Sequence, residues 1–144
     1  MAGRKVYVET SVVLRRILRE PEAIDDWEHW DLAVTSELTQ LEALRSFDRL
    51  RVTTEASDAK LAACHEELAT YSSRFEVVLL DSKILRRAAR PLPTWLGSLD
   101  AIHLATALLW MEDNDEDLTL LTHDQQLAAC ARACGVLTLP RTPR

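Results

Sequence analysis

Four acidic residues stand where carboxylates could act together. Glu9 directly follows a short apolar strand pattern, Asp124 follows another, Asp100 lies in the first turn of an apolar helix, and Glu42 flanks an apolar helix face. Any one of them could favour a helix N-terminus electrostatically, but an unpaired carboxylate beside buried surface, as at Glu9 and Glu42, is costly. A shared divalent cation would offset that cost, because oxygen ligands suit Mg²⁺ or Mn²⁺. The residue types therefore predict a metal site of the kind that activates water.

The elements that would carry these acids alternate along the chain. Short β-branched runs separated by helical patterns indicate parallel strands joined by crossovers, hence an α/β fold with an open, mostly parallel sheet of four to five strands sandwiched by helices. Ligands of such sheets bind beyond the carboxyl ends of the strands, near a switch in strand order. Strands are predicted at 6–8, 32–35, 76–80 (buried), 118–121 and 136–139.

Helix boundaries follow from capping residues and apolar spacing. Thr10 or Ser11 is predicted to cap the first helix, Ser36 a helix to about residue 50, Asp81 or Ser82 the helix before Pro91, and Ser98 a nearly all-apolar helix over 99–111. Helices are also expected at 55–71, at 124–134 with Gly135 at its C′ position, and around Trp27 and Trp30. The predicted buried stripe of the helix that follows Ser36 consists of Leu38, Leu41, Leu44, Phe47 and Leu50.

Composition bounds the class of protein. The 144 residues are expected to form one domain, and 47% hydrophobic residues suffice for a core. No apolar stretch approaches the ~20 residues that span a bilayer, and three cysteines without a leader pattern favour the cytoplasm. The net charge of -6 argues against a non-specific nucleic-acid binder. Only three of the 17 basic residues are lysines, so arginines supply the phosphate-binding chemistry.

Four ordered motifs carry a family resemblance across almost the whole chain. They are Val-Tyr-Val-Glu-Thr-Ser at 6–11, Thr-Ser-Glu-Leu-Thr-Gln-Leu-Glu at 35–42 with Arg45 after it, Ser-Leu-Asp-Ala-Ile-His-Leu-Ala-Thr-Ala at 98–107, and Leu-Thr-His-Asp-Gln-Gln-Leu at 121–127. In this combination the chain resembles PIN-domain ribonucleases, and more narrowly the VapC-type toxins of toxin–antitoxin pairs. The segment at 98–107 is the most specific of the four.

The resemblance implies a PIN-like domain over residues 1–144 and a Mg²⁺- or Mn²⁺-dependent endoribonuclease toxin. Its metal-binding and catalytic acids would be Glu9, Glu42, Asp100 and Asp124. Its implied partners are an RNA substrate, a cognate antitoxin and a second copy of the chain. Substrate contacts are expected from Thr10, Ser11, Arg15, Arg16, Arg45 and Thr122, although capping explains the hydroxyl residues equally well.

Glu9 departs from the family pattern, which has aspartate at this position. The extra methylene pushes the carboxylate further into a site where Mg²⁺ requires near-octahedral geometry at ~2.0–2.1 Å. Three explanations are compatible with it: a natural variant with retuned metal binding, a weakened or inactive relative, or a deliberate substitution that lets a toxic enzyme be produced. The alternative function is a catalytically inactive PIN-like domain that binds RNA or an antitoxin without cleaving.

Other patterns favour packing or solvent exposure. Asp113, Asp115 and Asp117 alternate like the start of a calcium loop, but Leu118 stands where that loop needs glycine. The three cysteines lack paired zinc-ligand spacing, and a receiver-like signalling module would need an acid pair after the first strand. His103 is expected either to hydrogen-bond in the core or to contact substrate. The four tryptophans could stack on bases, but helical spacing and neighbouring prolines favour the core or an interface.

Overall fold

Strands and helices alternate along the chain in the computed structural model, which describes residues 4–24 and 29–140. The described strands form one sheet in the order β3-β2-β1-β4-β5, and every neighbouring pair is parallel. This confirms the α/β class and the open parallel sheet. The strands are β1 (Lys5–Val8), β2 (Leu32–Ser36), β3 (Glu76–Val78), β4 (Thr119–Leu121) and β5 (Thr138–Leu139).

Helices cover both faces of the sheet. Alternation along β1 places Val6 and Val8 in a core with α1, α2 and α3, whereas Tyr7 packs with α5 and α6 on the opposite face. A third cluster joins α4 to α5. The described helices are α1 (Thr10–Ile17), α2 (Glu37–Thr53), α3 (Asp58–Arg74), α4 (Ser82–Ala88), α5 (Ser98–Asn114) and α6 (Gln125–Ala133).

The strand order reverses at β1. From this central strand the chain builds β2 and β3 on one side and then β4 and β5 on the other. Helices that leave neighbouring strand ends in opposite directions open a crevice at the carboxyl edge, where α/β sheets bind their ligands. Glu9 directly follows β1, so it lies at the centre of this edge.

Two predicted caps are wrong. Neither Thr10 nor Ser11 caps α1: Glu9 is the N-cap, and its carboxylate accepts a hydrogen bond from the Ser11 N–H. Ser98 does not cap α5 but begins it; Gly97 is the N-cap and makes no side-chain cap bond. α1 therefore begins one or two residues earlier than expected and α5 one residue earlier. Ser36 and Asp81 cap α2 and α4, as predicted.

The strand predicted at 76–80 is confirmed, but it is shorter and less buried than expected. β3 ends at Val78, pairs with β2 alone among the described strands, and leaves Val77 41% and Leu79 69% exposed. It is an edge strand, so one of its sides lacks a neighbour and its apolar residues are incompletely covered.

Two helix predictions differ in detail from the structure. Leu41 is 56% exposed, so the stripe predicted for α2 is shifted: the buried residues are Leu38, Thr39, Ala43 and Phe47. The helix expected at 55–71 runs instead from Asp58 to Arg74 with Ser57 as its N-cap. Trp27 lies outside the described residues. No helix among the described residues is long and apolar enough to cross a membrane.

Candidate functional site

Glu9 is buried at the carboxyl end of β1, only 5% exposed. Its Oε2 accepts a hydrogen bond from the Ser11 N–H at 2.8 Å, and its Oε1 accepts from the Ser11 and Thr122 hydroxyls, both at 2.6 Å. The Ser11 hydroxyl oxygen in turn accepts from the His123 N–H at 2.9 Å. The carboxylate therefore ties α1 to the end of β4, and both of its oxygens already have protein donors.

Glu42 projects from α2 toward the same edge. Its Oε1 lies 2.7 Å from the Thr10 hydroxyl and 2.6 Å from His103 Nε2. Burial raises the pKa of Glu42, but the hydrogen bond and charge of His103, together with the Thr10 hydroxyl, outweigh burial and leave the pKa below its usual value. Glu42 is thus held as a carboxylate in a defined position.

His103 connects Glu42 to the centre of the sheet. The fully buried ring places Nδ1 2.7 Å from the Tyr7 hydroxyl. Burial, and secondarily the charges of Glu9 and Glu42, raises the pKa of Tyr7 well above its usual value, so Tyr7 remains a phenol. The Glu42 carboxylate can only accept, so His103 Nε2 carries the proton that is donated to it, while Nδ1 bonds to the Tyr7 hydroxyl. Of the two roles expected for His103, the structure shows hydrogen bonding within the core.

Asp100 lies in the first turn of α5. Burial, followed by the charges of Asp124 and Glu9 and to a lesser extent Glu42, raises its pKa to about 6. Asp124 caps α6, where its Oδ1 accepts from the Leu127 N–H at 3.0 Å. Asp124, Glu9 and Glu42 therefore all lie near enough to Asp100 to act on it electrostatically, although they come from widely separated parts of the chain.

The negative charge at the carboxyl edge of the sheet suits a divalent cation, but the side-chain positions there do not form a complete ligand set. Four carboxylates supply the hard oxygen ligands that Mg²⁺ and Mn²⁺ prefer, and burial together with the charges of Asp124 and Glu9 raises the pKa of Asp100, an effect that a nearby cation would counteract. Across residues 4–24 and 29–140, however, no three side chains of His, Cys, Asp or Glu form a ready ligand group. Cation binding would require side-chain rearrangement at this edge.

The arginines expected to contact substrate already have partners in the protein. Arg15 lies 3.8 Å from a Glu20 carboxylate oxygen, and Arg45 lies 2.8 Å from one of Asp48. Arg16 hydrogen-bonds to Tyr71. These partners place the guanidinium groups on the surface of α1 and α2; their role in substrate binding stays a prediction.

Tyr7 is the site residue that the sequence prediction missed. The signal that could have found it is the strand alternation, which separates Tyr7 from Val6 and Val8 and directs it toward the helix that carries Asp100 and His103. The hydrogen bond between Tyr7 and His103 could not be predicted from local patterns, because the two residues are 96 positions apart in the sequence.

Comparison with known proteins adds a family match and a shared fold. The profile of the PIN domain family matches residues 6–133. No curated protein matches the sequence. Among solved structures, PAE2754 from Pyrobaculum aerophilum is 22% identical, with a TM-score of 0.64 over 94% of this chain and 84% of that one.

Two further solved structures have the same fold at lower identity. VapBC2 from Rickettsia felis, bound to a DNA fragment from their promoter, is 14% identical with a TM-score of 0.63, over 92% of this chain and 96% of that one. FitAB bound to the IR36 DNA fragment is also 14% identical, with a TM-score of 0.64 over 93% of each chain. At these identities the likeness establishes the fold.

Proposed function

Because the chain belongs to the PIN domain family, we propose that it is a nuclease, specifically a Mg²⁺- or Mn²⁺-dependent endoribonuclease toxin restrained by an antitoxin. The observation that carries the proposal is that Glu9, Glu42 and Asp124 act electrostatically on Asp100 at the carboxyl edge of the sheet. The crevice at that edge is the expected ligand position in an open α/β sheet.

Asp100 and Asp124, with Glu9 and Glu42, would hold the cation in this proposal. When bound, a divalent ion polarises a phosphoryl oxygen and lowers the pKa of a bound water. Asp100 and Asp124 are the better first ligands, because both oxygens of Glu9 are held by protein hydroxyl and amide donors.

The remaining roles belong to the protein's own side chains. Glu42, fixed by His103 and Thr10, would orient the attacking water as a hydrogen-bond acceptor. Glu42, which its partners keep as a carboxylate, would also take the proton that the water loses as its oxygen bonds to phosphorus, and solvent would protonate the leaving oxygen as it departs. Ser11 and Thr122 would keep Glu9 in place during that step.

The proposed partners follow from the VapC-type resemblance and from similarity to the VapBC2 and FitAB structures. The carboxyl edge of the sheet with Glu9, Glu42, Asp100 and Asp124 is called the acidic edge. An antitoxin segment would cover the acidic edge and present a basic side chain to it. A second copy of the chain is a further proposed partner, with exposed Leu41 and Val52 of α2 as candidate contacts. The cytoplasm is the compartment that an RNA substrate requires.

A second candidate function is favoured by the state of Glu9. Three donors occupy its two oxygens, and its side chain is one methylene longer than the family's aspartate. A protein with this carboxylate sequestered could bind RNA or an antitoxin without cleaving.

Cleavage of an unstructured RNA with Mg²⁺, Mn²⁺ or EDTA separates the two functions. The enzyme proposal expects metal-dependent cleavage that Asp100→Asn abolishes. If Glu9 weakens the site, Glu9→Asp raises the rate; if Glu9 is a natural ligand, the rate stays equal or falls. Cleavage by neither the natural chain nor Glu9→Asp would contradict the enzyme proposal.

Thermal unfolding tests metal binding independently of any cleavage activity. A ligand bound only by the folded state at ten times its Kd stabilises it by about 1.4 kcal/mol, so Mn²⁺ should raise the melting temperature by about 4–5 °C. Asp100→Asn should reduce this increase. An unchanged melting temperature in millimolar Mn²⁺ would speak against a metal site.

A further inference from the structure

Trp95 is left uncovered by the fold. Its side chain is 78% exposed, whereas Trp110 is 9% exposed and its indole N–H donates to Glu76 Oε2 at 3.0 Å. Of the two places expected for Trp95, the core is therefore excluded. An indole in water is a large unused apolar surface with a flat face suited to stacking.

The segment that carries Trp95 is held in place. Pro91 and Pro93 restrict the backbone before it, and Leu92 and Leu96 pack against the core beneath α5 and α6. The Cys130 thiol lies 3.7 Å from the Thr94 carbonyl oxygen. Trp95 is thus an exposed aromatic on an anchored loop, which reduces the entropy lost when a ligand stacks on it.

A groove lies beside Trp95 and reaches the first turn of α5. It has a volume of about 370 Å³, and its lining includes Arg90, Pro91, Trp95, Leu96 and Ala101. Ala101 directly follows Asp100 in α5, so the groove extends to the helix turn that bears this carboxylate. We call this depression the Trp95 groove.

The charge beside the groove suits a phosphate. Arg90 is exposed and makes no ion pair within the described part of the chain, in contrast to Arg15 and Arg45, which have carboxylate partners. A guanidinium is well matched to phosphate oxygens, and an indole to a nucleobase. Arg90 and exposed Thr94 are the polar residues of the groove lining, and its other residues, Trp95 among them, are apolar, a mixture that suits a base together with its phosphate.

We propose that the Trp95 groove binds one unpaired nucleobase of single-stranded RNA, stacked on Trp95, with a neighbouring phosphate at Arg90. This rests on the proposed nuclease function, since it supplies the substrate contact next to Asp100. Stacking tolerates any base, so the groove selects single-stranded RNA over duplex rather than a sequence.

Titration of a short unstructured RNA oligonucleotide in EDTA tests the groove without cleavage. Binding should quench tryptophan emission; Trp95→Phe should remove that quench and keep affinity within a few-fold, and Trp95→Ala should weaken binding about tenfold or more, as expected for the loss of one stacked base. Because Trp95 is exposed, circular dichroism should show both variants folded. A hairpin of the same composition should bind more weakly.

Arg90→Ala tests the phosphate contact. It should weaken binding and reduce the slope of log affinity against log salt by about 0.7, the value for one phosphate on a single strand. Arg86→Ala is the matched control, because Arg86 is also exposed but does not line the groove, and the slope should stay unchanged.

The outcomes of these experiments distinguish failure of the groove proposal from failure of the nuclease proposal. The groove proposal is overturned if the unsubstituted protein does not bind RNA, or if it and the Trp95→Ala variant bind RNA with equal affinity. The second result is also the one expected if Trp95 contacts a protein partner instead of RNA. Quenching that depends on Trp95 without cleavage at any metal concentration supports the groove and contradicts the enzyme. RNA cleavage by a protein whose RNA affinity is unaffected by Trp95→Ala supports the enzyme proposal and contradicts the groove proposal.

Discussion

The two halves of the acidic edge differ in how their buried carboxylates are stabilised. On the side of α1 and α2, Glu9 and Glu42 receive hydrogen bonds of 2.6–2.8 Å from hydroxyl, amide and imidazole groups. On the side of α5 and α6, burial raises the pKa of Asp100 most, and repulsion from Asp124 and Glu9 raises it further. We call these the bonded half and the repelling half.

The difference assigns separate tasks to the two halves. Hydrogen bonds to a charged carboxylate are among the stronger ones in proteins, so the bonded half is positioned before any ligand arrives. The repelling half is stabilised only when a proton or a cation reduces its charge. In the proposed function, one half would therefore supply geometry, and the other would supply the driving force for cation binding.

Breaking the bonded half at His103 should have the largest effect. His103→Leu removes the partner of the Tyr7 hydroxyl and the donor to Glu42, so a partly buried carboxylate loses its compensation. We expect a loss of about 3 kcal/mol in the free energy of unfolding, measured by urea denaturation.

His103→Gln is the control for this change, because its amide can still donate to Glu42 and it should lose less stability. Equal losses in the two variants would show that the ring is needed for packing rather than for its hydrogen bonds.

Thr122→Val should have an intermediate effect. This nearly isosteric change removes the 2.6 Å donor to Glu9 and the acceptor of the Asp124 N–H, so about 1.5–2 kcal/mol of stability should be lost. Thr119→Val on the same strand provides the comparison and should be close to neutral. A neutral Thr122→Val would mean that Glu9 is held by Ser11 alone.

Asp100→Asn should have the smallest effect and the opposite sign. The pKa of Asp100 is about 6 in the folded protein against an ordinary value of 3.8, so the folded state binds more protons between these pH values. Stability of the natural chain therefore falls as pH rises through this window. After allowance for solvent screening of a partly exposed group, Asp100→Asn should gain about 1 kcal/mol near pH 7.

Calorimetry near pH 7 and near pH 4 measures this gain, which should be about 2–4 °C in melting temperature at the higher pH and vanish at the lower. Asp117→Asn, at an exposed position, should change neither value. A destabilised Asp100→Asn at neutral pH would show that the repelling half is misassigned.

Local sequence rules predicted most of the fold because they concern neighbours along the chain. Ser36 before an apolar stripe marks the start of α2, and Gly135, with φ of +84°, ends α6 in the left-handed conformation that glycine tolerates. The rules failed at 76–80, where an apolar run indicates a strand but not whether that strand has one neighbour or two. Edge position is a property of the whole sheet.

The sequence by itself determined the alternation of strands and helices and the positions of the four acids after strands or in helix turns. These depend on periodicity and capping within a few residues. Only the tertiary structure decided that Tyr7 bonds to His103 and that Thr122 bonds to Glu9. It also decided that Trp95 stays in solvent while Arg15 and Arg45 are paired. Contacts across the sheet depend on strand order and on which faces meet, so they arise only when distant segments pack together.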